Sequence, residues 1–211
     1  MVKYELVYFH DGGRGSPIRD ILNFVGADWK ETNPEWPSHK SETPYGYLPY
    51  LNITEDNGET WTLAEAIVIE LYLARKYNLV PFDDLKESSL QLQIYHQITE
   101  LWALGGAGYV FFPEGKDNYL AYFNKVIETL VVNHKKLLEK NGNNGHYHGN
   151  SISLSDLVLF SWVSFYHANG LAHQINEKDT PEIYKVYLQV KNHPKIKPYD
   201  YIALTQGLDE N

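Results

Sequence analysis

The sequence contains no cysteine. That single absence excludes disulfides, thiolate metal sites and a cysteine nucleophile. Nowhere do 18 consecutive apolar residues occur, so no membrane partner is expected. The opening MVKYELVYF lacks the long apolar stretch of a signal peptide, which points to a cytoplasmic protein. Positive charge is scarce: 18 Lys and Arg stand against 27 Asp and Glu, for a net charge of −9. Neutralising phosphates requires a basic face, so nucleic acid is not an expected partner. Phosphate-binding loops are missing as well. In GGRGSPIR, Gly13 and Gly15 have the first spacing of a dinucleotide fingerprint, but Ile18 stands where the third glycine belongs and no lysine follows. His146 and His148 form an H-x-H pair without a visible third or fourth ligand, so no metal centre is expected. No internal repeat is present.

What remains is a chain of 211 residues, 43% hydrophobic and rich in tyrosine, long enough to bury a substantial core. Residues 3–9 carry β-formers and read as a strand. Ser16 as N-cap with Pro17 at the first helical position predicts a helix over 17–25. The prolines and glycine of 33–47 predict a loop with at most one helical turn. LPYLNI (48–53) and ETWTL (59–63) read as two strands joined through Asn57-Gly58, a strong hairpin signal. LAEAIVIELYLARKY (63–77), apolar on most faces, reads as a largely buried helix. The order is β-α-(β)-loop-β-β-α, and a polar connection follows.

Beyond it the pattern becomes helical. Apolar residues recur at helical spacing over 119–140, and residues 141–150 form a loop by composition. Ser153 and Asp156 resemble a capping box ahead of the apolar run 157–162. Shorter helices are predicted at about 181–191 and 195–206. Gly105 to Pro113, GGAGYVFFP, reads as an aromatic interruption after a helix, lining a hydrophobic pocket or packing between helices. The expected organisation is a small α/β domain over 1–78, a linker at 79–87 and an all-helical domain over 88–211.

Five stretches, in order and at matching spacing, resemble the cytosolic glutathione transferases, and among them the tyrosine-type, sigma-like branch. They are YELVYF, GGRGSPIR, EWPSHKSETPYGYLPYL, YLARKYNL and GNSISLSDLVLF. The resemblance covers essentially the whole chain. It implies a thioredoxin-like N-terminal domain followed by a helical domain, a homodimer, and glutathione as co-substrate with no further cofactor. The nucleophile is then glutathione's own thiol, which needs no cysteine in the protein. A free thiol is only about 3% thiolate at pH 7. Lowering its pKa by about two units takes roughly 2.7 kcal/mol of differential stabilisation.

The resemblance casts Tyr8 as the hydroxyl that favours the thiolate, with Arg14 steadying the tyrosine or the sulfur. Trp36 and Lys40 would take the glycine carboxylate of glutathione. Leu48, before a cis Pro49, would offer backbone groups to the cysteinyl moiety. One departure stands at the γ-glutamyl end. The family typically has a serine after Gln or Glu at this helix start, whereas this chain has Glu65-Ala66 and so lacks the hydroxyl. His96 falls where sigma-like relatives reach across the dimer with an acidic residue. The implied activity is conjugation of glutathione to small hydrophobic electrophiles. The rival is a transferase-fold binding, storage or structural protein with weakened glutathione binding.

Overall fold

The structure, a computed structural model, describes residues 1–10, 12–111 and 116–197, and within 103–111 and 116–119 only the backbone path. Strand β1 (Lys3–Val7) leads through the glycine turn into helix α1 (Ser16–Val25), and β2 (Asp28–Thr32) returns parallel to β1. A loop carrying a 3₁₀ turn at Ser38–Glu42 follows. Strands β3 (Tyr50–Thr54) and β4 (Thr60–Ala64) form the hairpin, and α2 (Ala66–Lys76) closes the N-terminal unit. The four-stranded sheet has the order β2-β1-β3-β4, with β3 antiparallel to both neighbours. Helices α3 (Leu85–Phe111), α4 (Lys116–Lys140), α5 (Leu154–Ala168) and α6 (Pro181–Lys191) complete the described chain.

Local chemistry explains most of these boundaries. Gly58, at φ 86°, makes the tight turn between β3 and β4 at the Asn57-Gly58 signal. Asp156 accepts the Ser153 backbone N–H at 2.8 Å, which is the expected capping box. Its other oxygen accepts the N–H of Tyr147 at 2.9 Å, tying the polar loop to the start of α5. The α5 run is buried on every side: Leu157, Val158, Leu159, Trp162 and Val163 are all fully covered. The core runs without a break from Leu6, Ile21, Leu51 and Ile69 to these residues, so α1 packs on α5.

Several expectations are corrected. Gly15, not Ser16, holds the capping position of α1, and Pro17 still lies in the first turn. Leu63 and Ala64 belong to β4, because they pair with Leu51 and Tyr50; α2 therefore starts at Ala66. The backbone of 105–111 continues α3 instead of interrupting it. A glycine costs about 1 kcal/mol in a helix, too little to end one 27 residues long. Residues 112 and 113, and the side-chain reading of that stretch, lie outside the described residues. Residues 195–197 are not helical, and the rest of the helix expected at 195–206 also lies outside them. Among the described residues no helix is long and apolar enough to cross a membrane.

Candidate active site

Three connections meet at one end of the sheet: the β1–α1 turn, the loop before β3, and the β4–α2 junction. Tyr8 lies just past β1, nearly buried, and its phenol oxygen accepts the backbone N–H of Arg14 at 3.1 Å. The glycines of the turn are there for this ring. A Cβ on Gly15 would come within 2.4 Å of the ring carbon Cδ1, and one on Gly13 within 2.9 Å of the phenol oxygen. Gly13 also has φ 112°, which an L side chain rarely adopts. The turn wraps a phenol.

Arg19 braces the same ring from α1, with its guanidinium carbon 5.4 Å from the Tyr8 centroid. Its Nε donates to Glu31 at 2.7 Å, and its Nη2 donates to the Phe9 carbonyl at 2.5 Å. Phe9 stands 5.5 Å from the Tyr8 ring and 5.7 Å, edge-on, from Trp36. Trp36 is thereby linked to Tyr8 through one intervening ring.

Beside this cluster lies a pocket of about 240 Å³ lined by Arg14, Tyr45, Tyr47, Leu48, Pro49 and the stretch Ala64–Ile67. The Leu48–Pro49 peptide is cis, and so is Trp36–Pro37. Among the described residues, Leu48 N–H and C=O enter no backbone hydrogen bond. Glu65 precedes α2 at φ 71°, ψ 112°. A non-glycine residue there costs on the order of 1–3 kcal/mol, and such strain is concentrated at functional sites. The first N–H groups of α2 have no partner within the helix, and together with the helix dipole they favour an anion. Ala66 brings no hydroxyl to this end. The pocket thus pairs a helix N-terminus with a guanidinium, an arrangement suited to a carboxylate.

The sequence-predicted residues do not all converge. Arg14, Leu48, Pro49, Glu65 and Ala66 line one pocket, and Tyr8 adjoins it through the Arg14 backbone. Lys40, on the 3₁₀ turn, places its ammonium 5.7 Å from the ring centroid of Tyr47, at the pocket's edge. His96 is elsewhere. It faces a groove of about 420 Å³ between α3 and α4, 3.7 Å from Glu100. Within one chain it does not reach the pocket.

Sequence reasoning missed two buried acids. Glu70, on α2, is 3% exposed and accepts a 2.9 Å hydrogen bond from the Tyr95 phenol of α3. Burial raises the Glu70 carboxyl to about 8, against the opposing pull of the Tyr95 hydrogen bond and the Arg14 charge. A lone acid inside the apolar run IVIELYL was the available signal. A second buried acid, Asp20 of α1, accepts from Ser161 of α5 and is raised by burial to about 7. His146 and His148 lie near Asp156 and Glu87 respectively, and no cluster among the described residues could hold a metal.

The glutathione S-transferase C-terminal domain model matches residues 107–200. The chain is 29% identical over 186 residues to the glutathione S-transferase class-mu 28 kDa isozyme of Schistosoma japonicum, covering 86% of this chain and 88% of that protein. It is 28% identical over 182 residues to probable glutathione S-transferase 6 of Caenorhabditis elegans, covering 77% and 80%. Among solved structures, the Fasciola hepatica sigma class transferase superposes with a TM-score of 0.74 at 26% identity, over 90% of each chain. The architecture is the glutathione S-transferase fold. The chain is thus similar to glutathione S-transferases along most of its length.

Proposed function

We propose that this protein is a tyrosine-type, sigma-like glutathione transferase that ionises the glutathione thiol at Tyr8 and passes the sulfur to a small hydrophobic electrophile. The observation that carries the reading is the Tyr8 phenol, held beside an anion-accepting pocket by a turn whose glycines make room for it. Accepting the Arg14 N–H polarises the phenol and makes its O–H a better donor. Donation of that O–H to sulfur favours thiolate over thiol. The thiolate then attacks the electrophilic carbon, forming a C–S bond while the leaving group departs with its electron pair.

Glutathione would lie along the pocket. Its γ-glutamyl carboxylate would sit at Glu65, Ala66 and Arg14, its cysteinyl backbone at Leu48, and its glycine carboxylate toward Lys40 and Trp36. The assembly we infer is a cytoplasmic two-fold homodimer, in which His96 would approach the partner's site. A second reading is favoured by Ala66: without the hydroxyl the chain would be a binding or structural protein on the same scaffold.

Calorimetric titration with glutathione, together with conjugation of an aryl halide by Tyr8→Phe, tests the choice. Wild type is expected to bind glutathione, and the Phe variant to bind it about as well while conjugating at least tenfold more slowly, about 1.4 kcal/mol of transition-state stabilisation. Equal rates for the two proteins would remove Tyr8 from the chemistry. No binding at millimolar glutathione would favour the second reading.

A further inference from the structure

The buried Glu70 lies one helical turn beyond Ala66, which lines the pocket end proposed for the γ-glutamyl carboxylate. In a helix, residues four apart share a face. A carboxyl in this place is costly, since a buried charge needs a partner. Two titratable groups face it: the Tyr95 phenol from α3, at 2.9 Å, and Arg14 from the glycine turn, which itself lines the pocket. Arg14 makes no ion pair with Glu70, so its charge acts on that carboxyl through space while the same residue lines the ligand pocket.

We propose that Glu70, held by Tyr95, is a positioning residue that sets how much of the Arg14 charge is available to a bound peptide carboxylate. When neutral, Glu70 leaves Arg14 to the ligand. When ionised, it competes with the ligand for Arg14 and adds a negative charge behind the helix N-terminus. Burial outweighs the Arg14 charge and the Tyr95 hydrogen bond, and the carboxyl titrates at about 8. Near neutrality it holds its proton, and anion binding is strong; as pH rises through that value, it ionises and binding weakens. By reciprocity, a bound carboxylate raises the Glu70 pKa further. The inference rests on the proposed tripeptide site but not on catalysis there.

The test uses S-methylglutathione, a thioether that cannot ionise at sulfur, titrated calorimetrically at pH 6.5 and 9.5 into wild type, Glu70→Gln and Tyr95→Phe. Glutamine keeps an oxygen to accept the Tyr95 hydrogen bond but has no titration. Its affinity relative to wild type should be about one at pH 6.5 and approach tenfold tighter at pH 9.5, for a coupling of about one pKa unit at an effective dielectric near 20. The ligand's own amine titrates identically against both proteins and cancels in the ratio. Tyr95→Phe removes a bond that lowers the Glu70 pKa, so its loss of affinity should set in at higher pH than in wild type. A ratio independent of pH, or a Tyr95→Phe profile coincident with wild type, would mark Glu70 as purely structural and overturn this inference alone. Wild type that binds no S-methylglutathione at either pH would overturn the tripeptide site and the inference together.

Discussion

Gly15→Ala probes the turn on which the site depends. The backbone there is ordinary (φ −80°, ψ −20°), so alanine introduces no torsional strain. The difficulty is the ring. The new methyl would stand 2.4, 2.8 and 3.0 Å from three carbons of Tyr8, where carbon–carbon contacts normally lie at about 3.5–4.0 Å. The ring is confined by Phe9 and the Arg19 guanidinium, so the phenol must move by roughly 1 Å. Forcing an extra methyl into a packed region costs about 1–3 kcal/mol. Reduced chain entropy in the unfolded state offsets about 0.4–1 kcal/mol of this. A net loss of on the order of 1–2 kcal/mol lowers the melting temperature of a chain this size by roughly 2–8 °C. Activity should fall further than stability implies, by up to about a hundredfold, because a 1 Å displacement at the reacting centre has that scale of effect. Thermal unfolding and aryl halide conjugation measure the two. Gly58→Ala is the control: a Cβ there meets nothing within 4 Å, but φ is +86°. It should lose about 1–2 kcal/mol from backbone strain and retain its rate. If Gly15→Ala matches wild type in both assays, or if the two variants lose activity alike, the packing argument for Tyr8 is wrong.

Ala66→Ser restores a hydroxyl at the first position of α2, inside the pocket. A hydrogen bond to a charged group is worth about 1.5–3 kcal/mol, so glutathione affinity should rise roughly 10- to 150-fold by calorimetry, and no gain would place the carboxylate elsewhere. Asp20→Asn should stabilise the fold in a pH-dependent way. The folded-state pKa is raised from 3.8 to about 7, so the native protein keeps a proton that the unfolded chain has lost. Wild-type stability therefore falls as pH rises from about 4 to about 7 and levels off above that, whereas the amide does not titrate. Urea unfolding at pH 4 and pH 7.5 should show the variant gaining a few kcal/mol relative to wild type between the two. A difference that stays constant would mean that Asp20 is ionised in the native state.

The elements that short-range chemistry controls were legible in the sequence. The Asn57-Gly58 turn, the Ser153–Asp156 box and helix Pro181–Lys191 each depend on residues a few positions apart, and each stands where the pattern put it. Matching stretches along the chain also brought out the transferase fold, because their order and spacing carry information that no single motif holds. Other features needed the assembled protein. Strand β2, DWKET, has little local strand character and exists because β1 pairs with it along its length. Leu63 could continue a strand or open a helix, and the β3 ladder decides between them. Glu65 takes a positive φ only where β4 must hand over to α2. The roles of Gly13 and Gly15 emerge once the Tyr8 ring folds back over the turn. Glu70 and Tyr95 are 25 residues apart, and Asp20 and Ser161 are 141 apart. Their burial, and with it their titration, depends on how α2 and α3, and α1 and α5, pack together. The strength of a charge depends on what excludes water around it, and that is a property of the packed structure rather than of any neighbouring stretch of sequence.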